Sequence, residues 1–416
     1  MSAMVLDLKA LALHNCLQQL GRQASPAPEA NVRSSCIKLL TETLHKVDPT
    51  WVVKPFGSSA NGFSSKDSDL DLTCVIPNVA VAAALEIFAE KRQVVLSTLE
   101  AAGIEVFQEI WTARVPVVKM KFAGFLEVDL TFQNNAALVN TELLKAYSNM
   151  CPQLRELGIA VKRWAKAAGV CGAPQGHLSS YSFTLMAIYF MQTCHGLPCL
   201  PTDAFSEDGP APNVRNWRWE SPLPVPALLM QFCLFYHHEF QWGTEVVSPR
   251  MGCRMTIREQ CFSWLETWGE SRLHIEDPFI LERNLNCVLG SWQEGRLREV
   301  LQESALAMIS GKLPRCLDST ANAEDTASTE TPASGVADKT PALSSDAEDL
   351  QKPPVKDSPG AAASPGSPAR TSRAPEPSEV PVTVLRLQEP REDEKENEEK
   401  EMKRMIELLS NRVLCL

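Results

Sequence analysis

The stretch that decides the fold covers residues 57–76 and reads GSSANGFSSKDSDLDLTCVI. A turn of small residues comes first, and polar and apolar residues then alternate from Asp69 onwards. This alternation predicts a half-buried strand, on which residues two apart point to the same side. Asp69 and Asp71 therefore present two carboxylates side by side, shortly after the turn.

Two carboxylates this close repel each other unless a cation lies between them. Oxygen ligands of this kind suit Mg²⁺ or Mn²⁺, and the Gly57-Ser58 turn offers backbone N–H groups to a phosphate. A third carboxylate, Asp129, lies in a later alternating pattern over 125–132. Together they predict a two-metal centre for phosphoryl transfer. An isolated Asp-x-Asp pair lies more often on a solvated face, so the turn and the third aspartate carry the argument.

Hydrophobic periodicity divides the chain into a mixed region and a helical region. Two strands over 115–122 and 125–132 are predicted to pair as a hairpin across Ala123-Gly124. The fold class is therefore α+β and bilobal, with a mixed β-sheet domain and a mainly helical domain. Helices are predicted over 4–22, 31–46, 80–102, 152–168, 180–195, 225–240, 258–267 and 293–310.

Composition and periodicity suggest the domain boundaries. We assign 31–134 to the catalytic domain, and 1–30 together with 135–316 to the mainly helical domain. After residue 316 the chain contains 20 acidic and 12 basic residues and few large apolar ones until about 382. This composition predicts a disordered linker over 317–390. Residues 391–416 are predicted to be a charged tail with helical potential, which is either a docking segment for a protein partner or simply solvated.

Charge and cysteine usage limit the partners. The 416-residue chain has a net charge of −11, mostly from the tail, so RNA would bind through a local patch, weakly and with strong salt dependence. Its 13 cysteines form no Cys-x-x-Cys pair, which favours an intracellular compartment. No segment has the roughly 20 apolar residues that span a bilayer. We expect a monomer without a membrane partner, in the cytoplasm, with an amphipathic mitochondrial presequence as the alternative.

The Gly57-Ser58 pair, followed after ten residues by Asp69-Leu70-Asp71, resembles the mark of the DNA polymerase β-like nucleotidyltransferase superfamily. Further segments over roughly 30–312 are similar to the terminal uridylyltransferases and the cytoplasmic-type poly(A) polymerases, and most of all to the minimal trypanosomatid terminal uridylyltransferases. The resemblance implies a nucleotidyltransferase domain joined to a poly(A)-polymerase-associated helical domain. It also implies that Asp69, Asp71 and Asp129 are the catalytic metal ligands.

Three segments resemble the triphosphate-binding motifs of that family. The VKRWAK segment at 161–166 looks like its lysine helix, which implies that Lys162 and Lys166 hold the β- and γ-phosphates from one helical face. The LSSY segment at 178–181 implies a triphosphate contact for Ser180. The third segment is the Gly57-Ser58 turn, which implies a triphosphate contact for Ser58. Without the resemblance, the lysines would be a basic surface and Ser180 a helix cap.

Other matches concern the base and the ribose. The resemblance implies that Tyr181 stacks on the base and that Asn140 and Thr141 contact the ribose. Asp277, in the IEDPF segment at 275–279, matches an acid that recognises uracil through water. Without the resemblance, Tyr181 would be a core aromatic and Asp277 a helix cap before a proline.

The resemblance implies template-independent addition of UMP from UTP to RNA 3′ ends. Ile280 and Arg283 stand where many uridylyltransferases have a second acid and some have a histidine, which weakens the choice of base. The alternative is a poly(A) polymerase that adds AMP from ATP. An inactive RNA-binding scaffold, or nucleotide transfer to a protein or a small molecule, is less favoured.

Overall fold

The computed structural model describes residues 14–21, 27–65, 68–259, 261–262 and 273–317. Residues 14–21 are helical (α1), so this part of the first predicted helix is confirmed and its beginning lies outside the described residues. The predicted linker and the predicted tail lie outside them as well. Most of the predicted helix over 258–267 also falls there, and the four described residues of that range are not helical.

A mixed five-stranded sheet underlies the site. Its strands lie in the order β1-β2-β5-β4-β3, and β2 and β5 are the parallel neighbours within it. The predicted hairpin is confirmed as β4 with β5. Strand β3 was not predicted, because its polar side chains hide the alternation of an edge strand that pairs with β4. The five strands are β1 Val52–Pro55, β2 Leu70–Val75, β3 Glu105–Ile110, β4 Val117–Phe122 and β5 Leu126–Phe132.

Helices pack on this sheet and build the second half of the described chain. After α1 they are α2 Ala27–His45, α3 Ser58–Asn61, α4 Val81–Glu90, α5 Arg92–Ala101, α6 Asn135–Met150, α7 Pro152–Ala167, α8 Ser180–His195, α9 Val225–Leu234 and α10 Ser291–Ile309. Two short strand pairs accompany them: β6 Phe205–Ser206 with β7 Gly209–Pro210, and β8 Val246–Val247 with β9 His274–Ile275. The predicted α+β class is confirmed. Among the described helices, none combines the length and the apolar character needed to cross a bilayer.

The sheet has an apolar face and a polar face because its strands alternate. Leu70 and Leu72 of β2 share a core with Val128 and Leu130 of β5, under side chains from α2, α4 and α5. The residues between them on β2 and β5 include Asp71 and Asp129, which therefore point to the opposite face. Hydrophobic burial on one side thus fixes which side carries the carboxylates.

Two helix predictions need correction. One continuous helix over 80–102 is wrong, because the chain breaks at Lys91 between α4 and α5. Lys91 Nζ lies 2.9 Å from Asp48 Oδ2 and 5.4 Å from the ring centroid of Trp51, and these tertiary contacts hold the break. The helix predicted over 225–240 is α-helical only to Leu234, since Phe235–Glu239 form a π-helical turn.

The helical region packs against the loop that leaves α3. Gly158 of α7 lies beneath the buried ring of Phe63, and a Cβ atom at Gly158 would lie 2.6 Å from that ring. Lys162, one turn further along α7, donates from Nζ to the carbonyl oxygen of Phe63 at 3.0 Å. The missing side chain at Gly158 therefore allows α7 to approach this loop closely.

Gly158→Ala should lower the free energy of unfolding by about 1–3 kcal/mol, because the added methyl group overpacks the Phe63 ring. Gly295→Ala is the matched control, since Gly295 is also helical but has no atom within 4 Å of an added Cβ. We expect the control to gain up to about 1 kcal/mol from its better helix propensity. Urea denaturation measures both changes, and equal effects of the two substitutions would contradict the close-packing argument.

Candidate active site

Three charged side chains form a row across the polar face of the sheet. Asp71 on β2 lies opposite Asp129 on β5, and Asp129 lies opposite Lys119 on β4. Neighbouring strands lie about 4.8 Å apart, so adjacent members of this row are within contact range. All three residues are buried, with exposed fractions of 7%, 6% and 1% in the order of the row. Asp69 precedes the first residue of β2 and stands two residues before Asp71.

The charges of this row are closely coupled. Lys119 Nζ donates to Asp129 Oδ2 at 2.6 Å. Burial raises the pKa of Asp129, and the Lys119 charge and hydrogen bond lower it in part. Burial also raises the pKa of Asp69, and the negative charges of Asp129 and Glu127 raise it further. The carboxylates therefore need nearby positive charge if they are to be ionised together.

The donor set fits a hard divalent cation. Asp69, Asp71 and Asp129 all line one cavity, and its described lining contains neither cysteine nor histidine. Carboxylate oxygens are the ligands that Mg²⁺ and Mn²⁺ prefer. In the observed side-chain positions, however, no group of three His, Cys, Asp or Glu among the described residues is arranged to hold a metal ion. Mg²⁺ is usually held by one or two carboxylates together with waters and substrate phosphates, so three protein ligands on one ion are not required.

The glycine of the turn is required by the carboxylate beside it. Gly57 has φ +67, and a Cβ atom there would lie 2.3 Å from Asp71 Oδ2. The Gly57 N–H donates to Thr141 Oγ1 at 2.9 Å, and Phe56 N–H donates to the Asp71 carbonyl at 3.0 Å. Ser58 then opens α3. The turn predicted from the sequence is thus a glycine followed by a single helical turn, pinned between β2 and α6.

An arginine from α2 holds the segment that precedes β2. Arg33 Nη1 donates to the Asp69 carbonyl at 3.1 Å, and Arg33 Nη2 donates to the Ser68 carbonyl. These bonds fix the backbone at Asp69, whose side chain is only half-buried. Sequence reasoning missed Arg33, because nothing in its local pattern distinguishes it from the other polar residues of α2.

The two lysines of α7 line the cavity in different settings. Lys162 is buried, and its ammonium group is held by the Phe63 carbonyl. Lys166 is exposed, and its positive charge lowers the pKa of Asp69 against the effect of burial. Lys166 therefore lies close enough to the carboxylates to act on them, which agrees with a cavity that accepts phosphates beside a metal site.

At the other end of the cavity, the predicted base and ribose contacts touch each other. Tyr181, in the first turn of α8, donates from its hydroxyl to Asn140 Oδ1 at 2.7 Å. Burial raises the pKa of Tyr181 far above its usual value, and the negative charge of Asp277 adds to this effect. Tyr181 is therefore a neutral donor at any physiological pH.

Asp277 stands apart from the other predicted site residues. It has no exposed surface and does not line the cavity. Its Oδ1 accepts from the N–H groups of Phe279 and Ile280 at 3.0 and 3.1 Å, and its Oδ2 lies 3.6 Å from Arg283 Nη1. Arg283 and Ile280 line the cavity themselves. A direct role of Asp277 in base recognition stays a prediction.

A single cavity of about 220 Å³ brings ten of the eleven predicted site residues together. The sheet and the helical region both contribute to its wall. The ten are Asp69, Asp71, Asp129, Ser58, Asn140, Thr141, Lys162, Lys166, Ser180 and Tyr181.

The most consequential residue that sequence reasoning missed is Lys119. The signal was present, because Lys119 interrupts the apolar run Val117-Val118-Lys119-Met120 in the phase that faces Asp129 across the predicted hairpin. Arg114, an exposed side chain on the cavity wall, was also missed. It lies in the connection between β3 and β4, where no periodic pattern could identify it.

Comparison with known proteins identifies two domains. Residues 13–149 match the family described as "Poly(A) RNA polymerase, mitochondrial-like, central palm domain". Residues 225–283 match the family described as "Cid1 family poly A polymerase". These matches include the sheet with its three aspartates and the segment from α9 to Arg283.

Relatives of two kinds are similar to the chain. Human terminal uridylyltransferase 7 is 32% identical over 254 residues, which are 56% of this chain and 17% of that protein. The zebrafish (Danio rerio) poly(A) RNA polymerase GLD2 is 30% identical over 267 residues, 59% of this chain and 52% of that protein. The chain thus spans at most about half the length of these relatives. The likeness to trypanosomatid enzymes stays a prediction.

Solved structures support the fold. The Cid1 poly(U) polymerase matches with a TM-score of 0.60 and 22% identity, over 71% of this chain and 93% of that chain. Cid1 in complex with the UTP analogue UMPNPP matches with a TM-score of 0.60 and 23% identity over the same shares. At this identity the likeness concerns the arrangement of the elements.

Gly57→Ala should lower the free energy of unfolding by about 2–4 kcal/mol, because it combines backbone strain with a collision against Asp71. Gly124→Ala is the matched control: its φ is +76, but no atom lies within 4 Å of an added Cβ. We expect only the strain of about 1 kcal/mol there. Chemical denaturation measures both losses, and similar values would show that Asp71 is not what requires a glycine at position 57.

Proposed function

We propose that the chain, whose two matched segments are similar to terminal uridylyltransferases and poly(A) polymerases, adds nucleotides to RNA 3′ ends without a template. The observation that carries the proposal is the pairing of Asp71 with Asp129 across β2 and β5, beside Asp69 and in one cavity with Lys162 and Lys166. Carboxylates and ammonium groups in one cavity fit a nucleoside triphosphate with its metal ions.

In the proposed reaction the 3′ hydroxyl of the RNA attacks the α-phosphorus of the nucleotide, and pyrophosphate leaves. Asp69, Asp71 and Asp129 would hold divalent ions, Mg²⁺ or Mn²⁺, which would supply Lewis acidity toward the attacking hydroxyl and positive charge beside the phosphates. The protein itself contributes position and fixed charge, without a covalent intermediate.

The triphosphate is held from the α7 side. Lys162 and Lys166 contact the β- and γ-phosphates. The ammonium group of Lys162 is held by the Phe63 carbonyl, whereas the side chain of Lys166 is exposed to solvent. Ser58 and Ser180 each stand in the first turn of a helix on the cavity wall and offer hydroxyl groups to the same phosphates. One anchored and one mobile ammonium group suit a substrate that must bind and a pyrophosphate that must leave.

Asp69→Ala should lower RNA extension about a hundredfold or more without unfolding the protein, because Asp69 is half-buried and its backbone, not its side chain, is held by Arg33. The matched control is Glu127→Gln, which removes a carboxylate from the same face of β5, opposite Lys121 and outside the cavity. Extension of single-stranded RNA with Mg²⁺ and each nucleotide separately measures the effect. Wild-type protein that binds RNA but extends none would support the scaffold alternative.

We further propose that UTP is the preferred nucleotide. Support comes from Arg283, which lines the cavity and whose Nη1 lies 3.6 Å from Asp277 Oδ2, while Asp277 itself is outside the cavity lining and its Oδ1 accepts from two backbone N–H groups. Guanidinium is donor-only, and uracil presents two carbonyl acceptors where adenine presents an amino group. Poly(A) polymerases are also among the relatives, so ATP is the second candidate.

Arg283→Lys should reduce the preference for UTP over ATP by about five- to tenfold, because lysine keeps the charge beside Asp277 but loses the planar fork. Arg296→Lys is the matched control, since Arg296 lies on α10, outside the cavity lining, and pairs with Glu299. The ratio of kcat/KM for the two nucleotides is the readout. An unchanged ratio, or a wild-type preference for ATP, would refute the role given to Arg283.

A further inference from the structure

A buried lysine is an unusual partner for a proposed metal ligand. Lys119 lies in β4, between β3 and β5, with 1% of its surface exposed. Its Nζ donates a 2.6 Å hydrogen bond to Asp129 Oδ2. Burial of an ammonium group is costly unless opposite charge compensates it. An apolar residue would fill this buried space at a lower cost in free energy. We therefore expect the lysine to have a role other than packing.

The surroundings of Lys119 supply that reason. Three carboxylates lie close together on the polar face of the sheet, those of Asp69, Asp71 and Asp129. A fourth, Glu127, lies two residues before Asp129 on the same side of β5. Without a cation these charges repel one another in a poorly solvated place. Lys119 provides one positive charge that belongs to the fold and is present whether or not a metal is bound.

The hydrogen bond also gives the two carboxylate oxygens of Asp129 different surroundings. Oδ2 accepts from Lys119 Nζ, whereas Oδ1 is not engaged by this bond, and Asp129 lines the cavity. A carboxylate held in this way has one preferred orientation, because Nζ and the strand backbone fix it at both ends. A freely rotating carboxylate in the same place could bind an ion through both oxygens.

We propose that Lys119 is a positioning residue of the catalytic centre, whose ammonium group orients Asp129 through Oδ2 and offsets one carboxylate charge, so that divalent ions bind weakly until a nucleotide adds its own phosphates. This rests on the proposed function, because it assigns Asp129 to metal binding. The consequence is specific: loss of the Lys119 charge strengthens metal binding to the nucleotide-free protein and slows the reaction.

The test compares Lys119→Met with Lys119→Arg and Lys121→Met in the 416-residue chain. Lys121 is the matched control, because it lies two residues further on the same face of β4, opposite Glu127 and outside the cavity lining. Mn²⁺ affinity without nucleotide is measured by electron paramagnetic resonance. Thermal unfolding is followed in EDTA and in Mg²⁺, and kcat and KM for UTP are measured with RNA.

We expect Lys119→Met to bind Mn²⁺ at least about tenfold more tightly than the wild type, since a neighbouring positive charge has been removed. Its kcat should fall at least about tenfold while KM for UTP changes less than about threefold, because Asp129 loses its orientation. Mg²⁺ should raise its melting temperature more than that of the wild type. Lys119→Arg should retain weak Mn²⁺ binding, and Lys121→Met should behave like the wild type.

Unchanged or weaker Mn²⁺ binding by Lys119→Met, including no measurable binding to either protein, would overturn the proposal and leave Lys119 as a structural residue. If Lys119→Met does not fold in EDTA, the double variant Lys119→Met/Asp129→Asn shows whether the unpaired carboxylate is the cause. Recovery of folding supports the proposed pairing, and continued failure contradicts it. A wild-type protein that binds Mn²⁺ but extends no RNA would refute the proposed function separately.

Discussion

The parallel pairing of β2 with β5 is the constraint on which the site depends. It joins two segments that are far apart in the sequence and sets Asp71 beside Asp129 in register. A shift of one residue would turn the carboxylates into the apolar core, so the leucines on the reverse face hold the register. The hydrophobic packing that stabilises the sheet therefore also sets the positions of the carboxylates.

The helical region keeps the second half of the site attached to this sheet. Thr141 of α6 accepts from the Gly57 N–H, Ser148 of α6 donates to the Asn61 carbonyl, and Lys162 of α7 donates to the Phe63 carbonyl. The three contacts span the small-residue segment from end to end. Carboxylates, turn and lysine helix are thereby held as one unit, although they come from different parts of the chain.

Local patterns reveal those parts of the site that follow a period. The alternation around Asp69 and Asp71 predicted β2 and the face of both carboxylates, because burial of one side of a strand is visible in the sequence. Lys119 is visible in the sequence as a charged interruption of an apolar run, but its partner Asp129 is defined only by the strand pairing. Arg33 depends on tertiary neighbours and gives no periodic signal. The break at Lys91 has the same cause, since its contact with Asp48 is set by the fold and not by helix propensity.

Under the proposed function, the hydrogen bond from Tyr181 to Asn140 would link the contact with the base to the contact with the ribose. Residues in direct contact respond non-additively to change. A deoxynucleotide would leave Asn140 without its contact to the ribose. Because Asn140 also holds the Tyr181 hydroxyl, the tyrosine ring would then be less well fixed and would stack less well on the base. The selectivity for the sugar and the selectivity for the base would then depend on each other. A substitution at either residue in the course of evolution would change both selectivities.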